Sequence, residues 1–261
     1  MELKVGGKRV FAATGGKDFD PALPCIVFLH GAGMDHTVWA LQTRYFAWHG
    51  YGVLAVDLPG HGKSDGPALT AIGDMADWVW ALCDAAQVKE AALVGHSMGT
   101  IIALEAAKRA PDRVRGLGLV ATGAKMPVHP ELQAAADAGE HKAYDLIVDW
   151  GFGKRGRMGG NQAPGLWMAG GATRLLERGS DGALGKDFAA CAAYDGALDA
   201  AAKVACPVVV IAGSDDKMTP PKAGRAVADA IAGAKFVTID CGHMHMVEKP
   251  GETLDALRGT L

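Results

Sequence analysis

Six short runs along the chain are dense in aliphatic residues: "CIVFLH" at 25–30, "GVLAVDL" at 52–58, "AALVGH" at 91–96, "VRGLGLVA" at 114–121, "CPVVVIAG" at 206–213 and "AKFVTID" at 234–240. Each has the length and composition of a strand. Between them lie "HTVWALQTRYFAWHG" (36–50), "LTAIGDMADWVWALCDAA" (69–86), "GTIIALEAAKRAP" (99–111) and "PPKAGRAVADAIAG" (220–233), each long and periodic enough for a helix. Such alternation predicts βαβ units and therefore an α/β fold, with a mainly parallel, doubly wound sheet covered on both faces. The unbroken apolar stretch "VVVIAG" fits a central strand.

The alternation breaks between residues 124 and 194 and resumes at "CPVVVIAG". This divides the chain into a core of residues 1–123 and 195–261 and an insertion at 124–194. Stretches 131–150 and 172–177 of the insertion are candidate helices with flexible joints between them. Trp150, Phe152, Trp167 and several Met are an odd choice for a solvent-facing loop. They point to a cap over a site at the carboxyl ends of the strands.

The 261 residues are 49% hydrophobic, ample for a large core, and carry 26 Lys and Arg against 29 Asp and Glu, a net charge of −3. That balance implies neither nucleic acid nor an anionic membrane surface as a partner. No window has the roughly 18 apolar residues of a membrane span, and the charged start "MELKVGGKRV" is not a secretory signal. Five scattered cysteines without a C-x-x-C pair read as reduced thiols, and the expected location is cytoplasmic. No oligomeric state is implied.

Chemistry enters at "ALVGHSMGTIIALEAA" (92–107), where Ser97 stands between Gly95 and Gly99 at the joint of a strand and a helix. Flanking glycines let the chain turn sharply and project the hydroxyl into a cleft, and the Met98 amide, in the first helical turn, is placed to bind an oxyanion. A serine needs a base. His243, beside Gly242 in the loop after the last strand, is preferred to His245 for its looser backbone. The base needs a carboxylate, and "GSDDKMTPP" (213–221) offers Asp215 and Asp216. A second oxyanion donor is expected from "HGAG" (30–33), whose glycines let amides converge on a bound atom. His30 itself reads as scaffold.

Taken in order, "HGAGMDHTVW", "DLPGHGKSD", "GHSMG", "GSDDKMTPP" and "GHMHMVEKP" resemble the α/β-hydrolase superfamily over most of the chain outside 124–194. The resemblance implies Asp216 as the acid, His243 as the base with Glu248 and Pro250 downstream, and Ala32 and Met98 as the oxyanion amides. It makes "DLPGHGKSD" a structural turn in which His61 has no chemistry. Relatives that dehalogenate alkanes or open epoxides carry Asp where this chain has Ser97, so an acyl-enzyme is implied, with no metal or cofactor.

The expected activity is hydrolysis of a carboxylic ester or lactone of a small, moderately apolar substrate, similar to bacterial esterases, enol-lactonases and cofactor-free haloperoxidases. Carbon–carbon bond hydrolysis of ring-cleavage products, acyl transfer and a receptor built on the same fold stay open. Met126, Trp150 and Trp167 are candidate pocket residues, with Trp39 near the floor.

Overall fold

Alternation along the inner strands sorts their side chains into two layers. Val27 and Leu29 join Leu54, Leu93, Leu117 and Val210 in one apolar cluster, while Ile26 and Phe28 join Val53, Val94, Val120 and Ile211 in another. Both clusters are buried because helices cover both faces, which is why the inner strands read as unbroken apolar runs.

The computed structural model describes residues 1–157 and 167–261. One sheet holds β1 (Glu2–Val5), β2 (Lys8–Ala13), β3 (Cys25–Leu29), β4 (Gly52–Val56), β5 (Ala91–His96), β6 (Val114–Val120), β7 (Val208–Gly213) and β8 (Lys235–Ile239), in the order β1-β2-β4-β3-β5-β6-β7-β8. Pairing is parallel from β4 through β8 and antiparallel for β1 with β2 and β2 with β4. The first two strands are absent from the sequence expectation. They form a hairpin closed by Gly6 and Gly7, both at positive φ, the two-residue turn that such strands favour.

On the face of Ile26 and Phe28 lie α1 (Ala40–Trp48), preceded by a 3₁₀ turn at His36–Trp39, and, near the C-terminus, α12 (Pro250–Arg258). The opposite face is covered by α2 (Ile72–Ala85), α3 (Met98–Arg109) and, after β7, α10 (Pro221–Asp229). The winding reverses between β3 and β5, so the loops after these two strands leave side by side at the carboxyl edge, where α/β sheets place their ligands.

Between β6 and β7 run α4 (Pro130–Asp137), α5 (Lys142–Gly151), α6 (Lys154–Arg157), α7 (Met168–Glu177), α8 (Ala183–Ala193) and α9 (Ala197–Ala202). Helices α4, α5, α7 and α8 share a separate apolar cluster that includes Leu132, Ile147, Leu176, Leu184 and Phe188. The stretch expected as one helical region at 131–150 is thus two helices, and α8 was not expected; residues 158–166 of the anticipated insertion lie outside the described residues. A short α11 (His245–Glu248) precedes α12. All five cysteines are unpaired, and no helix of the described residues is long and apolar enough to cross a membrane.

Candidate active site

Strand β5 ends at His96 and α3 begins at Met98, leaving Ser97 alone to turn the chain. It does so at φ +51° and ψ −118°, a strained conformation for a residue with a side chain. The corner is locked from outside, for the Ser97 amide donates to the Val120 carbonyl at 2.9 Å. It also demands the flanking glycines: a Cβ on Gly95 would collide with the Gly99 carbonyl, and one on Gly99 with the Leu29 carbonyl. The serine side chain is left partly accessible in an otherwise buried run.

His243 arrives from the loop after β8. Its Nδ1 lies 2.8 Å from Asp216 Oδ2 and 3.2 Å from Thr219 Oγ1. The Asp216 carboxylate also accepts from the Met218 and Thr219 amides and from Thr219 Oγ1, each at 2.8 Å. Burial alone would raise the Asp216 carboxyl, but the neighbouring His243 and these donors outweigh it and bring the group down to about 2. A carboxylate so held fixes the proton on Nδ1, which leaves the Nε2 lone pair of His243 free to accept one. Asp215 is exposed, and among the described residues only its amide is engaged, with the Cys241 carbonyl.

Ser97 and His243 line the same narrow cavity of about 30 Å³, with Ala32, Phe188, Met218 and Met244 among its walls. The serine hydroxyl makes no hydrogen bond to the imidazole in this structure; such contacts are commonly long in free enzymes and shorten on substrate binding. Ser97 and Ala32 also border a wider cavity of about 340 Å³ lined by Met126, Val128, Leu132, Trp150 and Phe188. The Ala32 and Met98 amides have no acceptor among the described residues, so both are available to an oxygen in the cavity.

Two of the four anticipated pocket residues stand elsewhere. Trp39 is wholly buried in the core, its ring 5.3 Å from that of Phe28, because the 3₁₀ turn carrying it faces the sheet. Trp167 is 75% exposed and borders a different groove, formed with Thr37, Arg174 and Arg178. Met126 and Trp150 do line the wider cavity beside Ser97.

A model of the alpha/beta hydrolase family matches residues 26–256. The chain belongs to this family. It is 33% identical over 220 residues to a pimeloyl-[acyl-carrier protein] methyl ester esterase of Chromobacterium violaceum, covering 81% of this chain and 83% of the relative. Among solved structures it is similar to the enol-lactonase of Burkholderia xenovorans, with a TM-score of 0.88, 24% identity and coverage of 99% and 98%. It is also similar to Est816, described as an N-acyl homoserine lactone degrading enzyme, with a TM-score of 0.83, 27% identity and full coverage of both chains.

Several polar contacts around this alpha/beta hydrolase site escape sequence reasoning, those of His96 with His243 and of Glu248 with Gly153 because the partners are distant in the chain. His96 Nε2 and His245 Nδ1 both donate to the His243 carbonyl, at 3.0 and 2.9 Å, while the His243 amide donates to Gly151 of α5 at 2.7 Å. Burial holds both of these flanking rings below the ordinary imidazole range. Glu248 accepts from the amides of Gly153, Gly242 and Met244 at 3.0–3.2 Å, tying α5 and α6 to the His243 loop. Burial nonetheless pushes its carboxyl up. Thr219 carries a signal that could have been read, since a hydroxyl three residues after a loop Asp commonly bonds back to it.

One other group of potential ligand atoms, on Asp35, His36 and Asp57, lies close together. Its carboxylates are already engaged by protein donors: Asp57 by His36 and Lys63, Asp35 by Thr37 and Arg178. The set therefore reads as a turn-stabilising network rather than a cation cage.

Proposed function

We propose that the protein is a serine hydrolase that cleaves a carboxylic ester or lactone of a small, moderately apolar substrate through an acyl-enzyme. The observation that carries this reading is Ser97 at a positive-φ corner, sharing a cavity with His243 whose Nδ1 is engaged by Asp216. The methyl ester esterase and Est816 support it as relatives at 33% and 27% identity.

In this mechanism Ser97 Oγ attacks the carbonyl carbon as His243 Nε2 takes its proton. Asp216 stabilises the imidazolium, and the Ala32 and Met98 amides hold the negative oxygen. The C–O bond to the leaving alcohol breaks as His243 returns the proton to it. Water, activated by the same imidazole, then releases the acid. A lactone follows the same steps with the alcohol still attached. The helices between β6 and β7 act as the cap, and the wider cavity, with its largely apolar walls, is of a size for a small ligand. A cytoplasmic location is proposed with this function, in keeping with the five unpaired cysteines.

The test is turnover of short-chain aryl esters and lactones by the wild type and Ser97→Ala. A loss of at least roughly 10³-fold in kcat is expected. Equal, slow turnover in both proteins would overturn the assignment of the nucleophile.

A further inference from the structure

Helix α8, "ALGKDFAACAA", buries its apolar face and with it one carboxylate, Asp187, which is fully shielded from solvent. A buried charge is costly, and an apolar residue at such a place is often the more stable choice. Asp187 borders neither cavity beside Ser97, so direct contact with substrate does not account for it. Its partners lie far off in the chain. Oδ2 accepts from the Gly33 amide at 2.8 Å and from His61 Nε2 at 2.9 Å, while Oδ1 has no partner among the described residues.

His61 is the histidine of the "DLPGHGKSD" turn. Its Nδ1 lies 3.1 Å from the Pro59 carbonyl, so both ring nitrogens face acceptors, an arrangement that favours a proton on each. Asp187 and His61 are therefore a buried hydrogen-bonded pair joining a cap helix to the turn after β4.

The Gly33 amide held by this pair adjoins Ala32, whose own amide has no acceptor among the described residues. The other end of the turn is pinned by His30, which donates from Nδ1 to the Gly31 carbonyl at 2.8 Å and accepts from the Leu58 amide at Nε2, 3.1 Å away. Ala32 thus stands between two anchored positions, one fixed by the sheet and the other by α8. We propose that Asp187 is a positioning residue: paired with His61, it holds the Gly33 amide so that the Ala32 amide faces the carbonyl oxygen, making α8 part of the oxyanion hole. This rests on the serine-hydrolase reading and adds to it a link between cap seating and catalysis.

The test compares wild type, Asp187→Ala, Asp187→Asn and Ser97→Ala on a short-chain aryl ester, well below each protein's unfolding temperature. A misaligned oxyanion donor predicts a kcat loss of roughly 10- to 100-fold in Asp187→Ala with KM within roughly threefold. Affinity for a trifluoromethyl ketone, which forms an oxyanion adduct with the serine, should fall in parallel. Asp187→Asn keeps an acceptor for Gly33 and should recover part of both losses. A folded Asp187→Ala protein with wild-type kcat and ketone affinity would overturn the proposal, even if its melting temperature fell. If Asp187→Ala does not fold, Asp187→Asn and His61→Gln carry the test, and wild-type kcat and ketone affinity in both overturn it. Turnover surviving in Ser97→Ala overturns instead the hydrolase reading beneath it.

Discussion

His96 Nε2 donates to the main-chain carbonyl of His243 at 3.0 Å, so the residue before the serine holds the backbone of the loop histidine. The two rings lie 4.7 Å apart, and the His96 ring is completely buried. Replacing His96 by Leu leaves that carbonyl with His245 as its one remaining ring donor. Losing a buried hydrogen bond of this kind costs about 1–3 kcal/mol. Urea unfolding should register that loss, and kcat should fall with it because the proposed base, His243, is less firmly placed. Unchanged stability and turnover would show that the contact is idle.

Asp216 and Asp215 adjoin in sequence but should behave oppositely. Asp216→Asn removes the carboxylate that fixes the His243 tautomer and should lower kcat by roughly 10³- to 10⁴-fold in a folded protein. Asp215→Asn, at an exposed position, should leave kcat within roughly twofold and stability within about 0.5 kcal/mol. The acid side gives a second readout. Since the folded-state value of Asp216 is depressed to about 2 from an ordinary 3.8, its contribution to stability is present above about pH 4 and lost as pH falls through about 2. The stability gap between wild type and Asp216→Asn should therefore close over that interval. A gap independent of pH would contradict the coupling to His243.

The sequence makes some of this molecule legible because local physics and spacing coincide. Ser97 sits where an apolar strand must become a helix, and only glycines fit two residues before and after it, at Gly95 and Gly99. Asp216 and His243 follow later strands in loops whose composition marks them as polar turns. The hairpin at Gly6 and Gly7 is equally local and could have been read from its turn, though its four-residue first strand carries little apolar signal. What stays hidden depends on approach through space. Asp187 meets Gly33 across 154 residues and His61 across 126, and nothing near it in sequence announces either partner. Trp39 misleads for the same reason: its place close to "HGAG" in the chain says nothing of the face on which the 3₁₀ turn presents it.

The four aromatic and Met positions should separate by phenotype. Trp150→Ala and Met126→Ala enlarge the wider cavity and should shift preference toward bulkier esters, read as a changed ratio of kcat/KM between butyrate and acetate esters. Trp39→Ala, in the core, should instead cost about 3–5 kcal/mol of stability. Trp167→Ala, mostly exposed, should leave the ratio unaltered. A change in ester preference from Trp39 or Trp167, with none from Trp150 and Met126, would reverse the assignment of the substrate cavity.

The His61–Asp187 pair predicts a pH dependence on the alkaline side. Burial alone would lower the His61 ring, yet the hydrogen bond and charge of Asp187, with the Pro59 carbonyl and Asp57, raise it above the usual 6.5. The other titratable ring facing it, His30, is held neutral, since burial brings it down to about 4. A folded-state value raised above the unfolded one gives stability that is fully present below about pH 6.5 and lost as pH climbs through the raised value. Chemical unfolding of wild type and His61→Gln on the alkaline side of the ordinary imidazole value, about 6.5, should show a stability gap that narrows with rising pH. Turnover should track it, because the amide beside Ala32 loses the charged partner of its acceptor. A gap that stays constant or widens would mean that His61 is not held as an imidazolium.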